Sequence, residues 1–291
     1  MQNLWRIILL CLLTVSPVCG EGIKVVSWNL EWFPSGSSRG VASPDAEAAK
    51  AASVAEVLKG LNPDILVIQE VRDMKACESI VNALKPSKYH VTICSQFKEG
   101  FGGVVGLQQV AILSKSPAVA AWSENWKSFG VAEPPRGFAF AAFRFGTNDV
   151  GVYGVHLKSN LTRGDVERGR QLNILKRELA AEQILAHLGK VSLLLPNELE
   201  IVIVAGDFNT TVDQLEFASE KTLPSFRQSG FGSGFESVLL PERVTIPSKG
   251  QYPDATFDYV FVKPSTIAEL PTITVSKVSD HYPVLRIISL P

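Results

Sequence analysis

The sequence predicts a layered α/β protein, and three observations carry that expectation. Short, almost wholly apolar runs recur along the chain, helical patterns lie between some of them, and the strand-like runs outnumber the helices. The runs cover residues 23–28, 64–68, 110–113, 138–143, 150–155, 201–205, 259–262 and 284–288. Their β-branched content and shortness favour strands, and strands this apolar are covered on both faces.

The first strand, 23–28, leads directly into Asn29 and Glu31. A helix is expected over 45–61, because Ser43-Pro44 supplies an N-cap and a first-turn proline. Within it Ala48, Ala51, Ala52, Ala55 and Leu58 recur at helical spacing. Gln69-Glu70 follows the second strand, and a shorter helix is expected over 74–84. His156 follows the fifth strand, and a long helix is expected from 165 to about 188, with Leu172, Leu175, Leu179 and Ile184 on one stripe. Asp207 and Asn209 follow the run at 201–205, Asp258 heads the run at 259–262, and Asp280-His281 stands just before the last strand. A carboxylate, amide or imidazole at strand after strand end predicts a polar pocket along one edge of a sheet, where layered α/β folds bind ligands.

The N-terminal twenty residues read differently. Arg6 precedes an apolar run from Ile7 to Val15, then Ser16-Pro17-Val18-Cys19-Gly20. That is the layout of a secretory signal peptide, and cleavage after Gly20 leaves small residues at both recognition positions. The run is shorter than the roughly 20 residues a bilayer span needs. A leader over 1–20, a single domain over 21–291, a secreted or periplasmic location and a monomer without a stable membrane span are the expectations. Removing Arg6 from 28 basic residues leaves 27 against 29 acidic, so bulk charge does not point to a polyanionic partner, though a local cleft can still be positive. Cys77 and Cys94 remain after the leader. They either pair, closing a loop of about 17 residues worth about 3 kcal/mol, or stay as buried thiols. Neither has metal-ligand spacing to another Cys or His.

Each polar string alone has an ordinary structural explanation; Gly206-Asp207, for example, is common turn chemistry. Together they supply what phosphoester hydrolysis needs: hard oxygen ligands for Mg²⁺ or Mn²⁺, an amide or imidazole for phosphoryl oxygens, and a base for water. The ordered series Trp28-Asn29-Leu30-Glu31, Gln69-Glu70, His156, Gly206-Asp207-Phe208-Asn209, Phe257-Asp258-Tyr259 and Ser279-Asp280-His281 resembles the endonuclease/exonuclease/phosphatase superfamily. The resemblance covers essentially the whole chain after the leader. It implies a four-layered α/β/β/α sandwich, two mainly antiparallel sheets with helices outside.

The resemblance also implies roles. Glu70 is the principal metal carboxylate, and Asn29, Glu31 and Asp280 bind the metal or hold its waters. Asp207 and Asn209 orient the attacking water and the scissile phosphate. His281, oriented by Asp258, contacts the phosphate, and His156 provides a second contact. Arg136 matches a phosphate-binding arginine of deoxyribonuclease-like members, and Asn160 is a further phosphate candidate within a basic neighbourhood that includes Lys158, Arg168 and Arg170. Trp122, Trp126 and Phe129 are expected in a loop, either pinning it to the body or stacking on a ligand.

Two departures bear on the substrate. Where deoxyribonuclease-like members carry a glutamate partner for the histidine matching His156, this chain offers Gln108 or Gln109, which exchange no proton. The Trp-Cys-Asp-Arg string of the inositol phosphatase branch reads Thr256-Phe257-Asp258-Tyr259 here. These departures leave the substrate open; the expected activity is that of a metal-dependent endonuclease or phosphodiesterase, with DNA and RNA among the candidate substrates. A lipid or small-molecule phosphoesterase and a binding or toxin subunit on the same scaffold are the alternatives.

Overall fold

A computed structural model describes residues 22–99, 103–162, 164–248, 250 and 252–291. The leader expected over 1–20 lies outside the described residues. In chain order the elements are β1 (Ile23–Phe33), α1 (Pro44–Leu61), β2 (Ile65–Val71), α2 (Met74–Ala83), β3 (His90–Cys94), β4 (Lys98–Glu99), β5 (Val104–Val105), β6 (Gln109–Ser114), β7 (Ala118–Asn125), β8 (Gly137–Phe145), β9 (Asn148–His156), α3 (Val166–Val191), β10 (Ile201–Asp207), α4 (Thr222–Gln228), β11 (Asp258–Lys263), β12 (Thr272–Ile273) and β13 (Val284–Ile288). No described helix is long and apolar enough to cross a membrane.

The strands form a six-stranded sheet in the order β12-β13-β1-β2-β6-β3 and a five-stranded sheet in the order β11-β10-β9-β8-β7. Only β1–β2 and β9–β10 pair in parallel; the other neighbours in these two sheets are antiparallel. Helices α1 and α2 cover the outer face of the first sheet, where Trp28, Leu66, Ile68 and Leu113 cluster with Val54, Leu58 and Ile80. Ala180, Ala181, Ile184, Leu223 and Phe226, from α3 and α4, belong to the larger cluster built on the second sheet. The result is the expected four-layered α/β/β/α sandwich.

Local chemistry starts the helices where the sequence predicts. Ser43 accepts a hydrogen bond from the Ala46 amide at 3.2 Å, with Pro44 in the first turn. Asp73 and Asp165 cap α2 and α3 in the same way, accepting from Ala76 at 2.8 Å and from Arg168 at 3.1 Å. Between the sheets, register places Ala139, Gly154 and Ala205 on one shared face. A Cβ added at Gly154 would lie 2.9 Å from methyl carbons of Val67 and Val110, so small residues here let the sheets approach closely.

Two features differ from the sequence expectation. Residues 118–125 form edge strand β7, and Trp122 lies within it rather than in a loop. Its half-buried and exposed positions alternate in part, but alanines and polar residues dilute the apolar signal. Trp122 packs on Phe140 at 4.5 Å and Trp126 on Phe138 at 5.5 Å, so both belong to the body, while Phe129 is 77% exposed. Helix α4 is also unanticipated. Cys77 and Cys94 are free thiols; a hydrogen bond with Cys94, then burial, pushes the Cys77 thiol well up.

Candidate active site

The inner face of the second sheet runs out of apolar residues at one end and continues in acids and an imidazole. His156 ends β9, Asp207 ends β10 and Asp258 begins β11; Asp207 is in register with both His156 and Asp258. Alternation puts all three on the same face as Gly154, Ala205 and Val260, so strand pairing presents three polar groups side by side toward the opposing sheet. Gly206 permits this spacing. A Cβ there would lie 1.9 Å from the Val155 carbonyl oxygen, and its φ of +153° is one that side chains rarely adopt.

The first sheet answers with Asn29 from β1 and Glu70 from β2. By simple alternation Gln69, paired with Asn29, faces inward, yet its amide turns back to donate to Ser27 Oγ and the Val67 carbonyl. Glu70 reaches the pocket because the β2 register shifts there and its backbone is left-handed at φ 59°. Its carboxylate accepts from Asn29 Nδ2 at 3.3 Å and from the Trp32 amide at 2.9 Å. Glu31, Arg136 and Asn209 also have positive φ, so four of the six such non-glycine residues among those described are candidate site residues. Left-handed backbone is unfavourable for Glu and Arg, though Asn tolerates it, and at Glu31, Glu70 and Arg136 it persists where surrounding contacts hold it.

The two halves meet at Asp207. Its Oδ2 accepts from Asn29 Nδ2 at 3.1 Å and lies 3.6 Å from His156 Nε2 and 3.9 Å from His281 Nε2. Glu70 Oε1 is 3.8 Å from the same His156 nitrogen. His281 Nδ1 bonds Asp258 Oδ2 at 2.8 Å, an imidazole from the segment before β13 joined to a carboxylate of the other sheet. Ser279 fixes that segment: its hydroxyl donates to the Asn29 carbonyl at 2.7 Å and accepts from the His281 amide at 3.2 Å. Trp28 Nε1 donates to the His281 carbonyl at 2.9 Å.

Burial and charge separate the protonation states. Burial alone would lower His281, but Asp258 and then Asp207 outweigh it and raise the imidazole to about 10. Burial pushes the Asp207 carboxyl up to about 7, with His281 pulling it down and Asp258 pushing it up. Burial, then Arg136 and His281, hold His156 well below the ordinary histidine range. At neutral pH the pocket therefore holds one cationic imidazole, one neutral imidazole and a carboxyl poised between its forms.

Two supports flank the cluster. Asn209 donates its amide N–H to Asp207 Oδ1 at 2.8 Å and its side-chain Nδ2 to the Leu157 carbonyl at 3.2 Å. Asn160 Nδ2 donates to the Asn209 carbonyl at 2.9 Å, and fully buried Arg177 donates to Asn160 Oδ1 at 2.8 Å. Arg177 is anchored in turn by Glu220 at 2.6 Å. On the other side Arg136 donates to the His156 and Leu157 carbonyls at 2.9 and 2.7 Å and to Gln108 Oε1 at 3.0 Å, and so braces the backbone carrying His156. Gln109 is occupied elsewhere, by Ser95, Phe97 and Gly106. In the basic neighbourhood, Lys158 folds onto Ser159 and Leu161 and Arg170 pairs with Glu167, while Arg168 is exposed.

The donor set suits a hard divalent ion. Asp207, Asp258 and His281 offer atoms within 4.8 Å of one another, a spacing that could hold a metal. In that trio the 2.8 Å Asp258–His281 bond already engages one ring nitrogen, and a cationic imidazole is a poor ligand. The carboxylate oxygens of Glu70, within reach of the Asn29 amide, are the better match to a hard cation. Asp258 Oδ1 and His156 Nδ1 are buried polar atoms without a hydrogen-bond partner among the described residues, in keeping with a site built for a polar ligand. Glu31 and Asp280 are half-buried; the Glu31 amide bonds Asn29 Oδ1 at 3.1 Å.

Two sheets packed face to face under outer helices, with buried acids and imidazoles at their joint, define a hydrolytic scaffold of the phosphoesterase class. The chain belongs to the Endonuclease/Exonuclease/phosphatase family, whose model matches residues 26–281. Among solved structures it is similar to SmcL, at 18% identity over 92% of this chain and 99% of that one, with a TM-score of 0.66. It is also similar to an endonuclease/exonuclease/phosphatase family protein from Leptotrichia buccalis, at 14% identity over 92% and 100%, TM-score 0.63. Truncated TDP2 from Caenorhabditis elegans aligns at 17% identity over 92% and 98%, TM-score 0.59. At these identities the likeness speaks for the fold. No curated protein sequence matches the chain.

The structure thus brings Asn29, Glu70, His156, Asp207, Asn209, Asp258 and His281 into one cluster, with Asp280 beside His281. Sequence reading passed over Arg177 and Glu220. A buried charged pair inside an amphipathic helix pattern leaves no local signature, because its partner is 43 residues away.

Proposed function

We propose that the protein is a secreted or periplasmic divalent-metal-dependent phosphodiesterase, with residues 21–291 as its catalytic domain, acting as a monomer on phosphodiester bonds of the kind found in DNA or RNA. The observation that carries this reading is Asp207, a buried carboxylate 3.6 and 3.9 Å from two imidazoles held in opposite protonation states. Glu70, Asn29, Glu31 and Asp280 would hold Mg²⁺ or Mn²⁺, which when bound supplies positive charge against the phosphoryl oxygens.

The remaining steps belong to this chain's own residues. Cationic His281, kept charged by Asp258, donates a hydrogen bond from Nε2 to a phosphoryl oxygen as charge builds there. Asp207 Oδ2 accepts a proton from the attacking water, and Asn209 holds the Asp207 carboxylate in position through its backbone amide. His156, neutral and braced by Arg136, offers a second polar contact without adding charge. The leaving oxygen departs in line, opposite the water.

The test is turnover of plasmid DNA, RNA, sphingomyelin vesicles and an aryl phosphodiester, with Mg²⁺ or with EDTA. Metal-dependent nicking of DNA or RNA is expected, abolished by Glu70→Gln in a protein that keeps its wild-type circular dichroism. Wild-type rates in EDTA, or an unimpaired Glu70→Gln enzyme, would overturn the metal assignment.

A further inference from the structure

Beside the polar cluster opens a cleft of about 320 Å³ that shares Asn160 and Asn209 with the active site. Its apolar lining includes Leu161, Val166, Phe217, Ile246, Tyr252 and Phe257. We propose that this cleft receives an uncharged, ring-sized group esterified to the scissile phosphate, so that the substrates are nucleoside or aryl phosphodiesters. The inference rests on the phosphodiesterase reading above and adds which chemistry sits next to the phosphate.

Four observations carry it. The first is continuity. Asn209 bonds Asp207 through its amide and reaches the cleft wall with the same residue, so a group in the cleft adjoins a phosphate at Asp207.

The second is charge. Among the described residues, the ionic side chains in the lining are Arg170 and Glu216; they face each other at 3.8 Å, and Arg170 also pairs with Glu167 at 2.9 Å. With Arg170 paired to two carboxylates, the described lining presents chiefly apolar and aromatic side chains, which suits an uncharged ring.

The third is rigidity. Phe217 and Phe257 meet edge to face with centroids 6.1 Å apart, and the Arg177 guanidinium lies 5.5 Å from the Phe217 ring. Arg177 is itself locked by Glu220, so the aromatic floor is preformed.

The fourth is exposure. Leu161 is 75% and Tyr252 60% exposed at the rim, apolar surface that nothing in the described chain covers. A few polar groups, among them Gln214 and Thr162, interrupt the apolar wall, as suits a ring with heteroatoms more than a hydrocarbon chain.

The experiment compares thymidine 5′-(p-nitrophenyl phosphate) with methyl p-nitrophenyl phosphate in the wild type, Leu161→Asp, Tyr252→Ala and the surface control Leu193→Asp, in the segment between α3 and the Ile201 end of β10. The two cleft variants are expected to lower kcat/KM on the nucleoside diester about 10-fold, chiefly through KM, while Leu193→Asp leaves it unchanged. A matching fall on the methyl diester would place the p-nitrophenyl ring in the cleft, and also supports the proposal. If wild type and both variants hydrolyse the two diesters alike, the cleft assignment is overturned while the phosphodiesterase reading stands. If neither diester nor any nucleic acid is turned over, it is the phosphodiesterase reading that fails. Sphingomyelin vesicles hydrolysed in preference to both diesters, with the same dependence on Leu161 and Tyr252, would overturn the ring-sized occupant in favour of an acyl-bearing one.

Discussion

At the scale of single residues, the chemistry depends on side chains whose environment is unusual rather than on their identity alone. Asp207 is an ordinary carboxylate made into a candidate base by burial, an effect that His281 opposes and Asp258 reinforces. Asp207→Asn preserves shape and removes proton acceptance, so a fall in kcat of about 10²–10³ with an unchanged fold is expected, measured on any turned-over diester. Gly206→Ala acts by sterics instead: its new methyl would collide with the Val155 carbonyl, and urea unfolding is expected to show a loss of about 3 kcal/mol. Asp213 illustrates a purely structural shift. Its hydrogen bonds to Arg243, at 2.6 and 2.7 Å, outweigh burial and hold its carboxyl below the usual range. A depressed carboxyl contributes stability above its unfolded pKa and loses it as pH falls through the folded value. Asp213→Asn should therefore lower stability by about 1 kcal/mol at pH 7, a gap that closes as thermal melts are taken into strong acid.

Among the elements, the predictable parts are those whose signal is local. Strand runs at 201–205 and 284–288, the cap at Ser43 and the helix starts near 74 and 165 can be read because a few adjacent residues determine them. The site residues were legible for a related reason: polar side chains ending apolar strands stand out against their neighbours. What escaped was set by contacts distant in sequence. Nothing around Glu70 announces that its backbone turns left-handed, and by alternation Gln69 is the better candidate to face inward. Edge strand β7 carries too many alanines to stand out. The apolar cleft draws on segments around 160 and 250, joined only by folding. Helix α3 carries the least visible support, since Arg177 ties the loop after β9 to the helix and to Glu220. Arg177→Met leaves Glu220 buried without its partner, so a loss of about 3–5 kcal/mol in denaturant unfolding is expected, accompanied by a loosened Asn160.

For the molecule as a whole, the active site exists only while the two sheets keep their separation. Asn29, Glu70 and His281 come from one sheet and its approaches, His156, Asp207 and Asp258 from the other, and the Asp258–His281 bond spans the joint. Gly154→Ala inserts a methyl into that joint two residues from His156. Stability is expected to fall by about 1–3 kcal/mol, and turnover at a temperature where the variant is still folded should fall as well. Full activity in a folded Gly154→Ala protein would show that sheet spacing does not control the site. The parallel ladder of β9 and β10 has a further consequence. Because Asp207 is locked opposite His156 by backbone pairing, their relation can change only in whole-residue steps, each of which would turn one of them away. Drift cannot retune the reactive centre by degrees, whereas the loops that wall the cleft sit outside the ladder and vary freely. Descendants of such a scaffold would inherit one reaction nearly unaltered and diverge in what they bring to it. A laboratory library confined to the cleft loops should change which ester is cut while leaving the cutting intact.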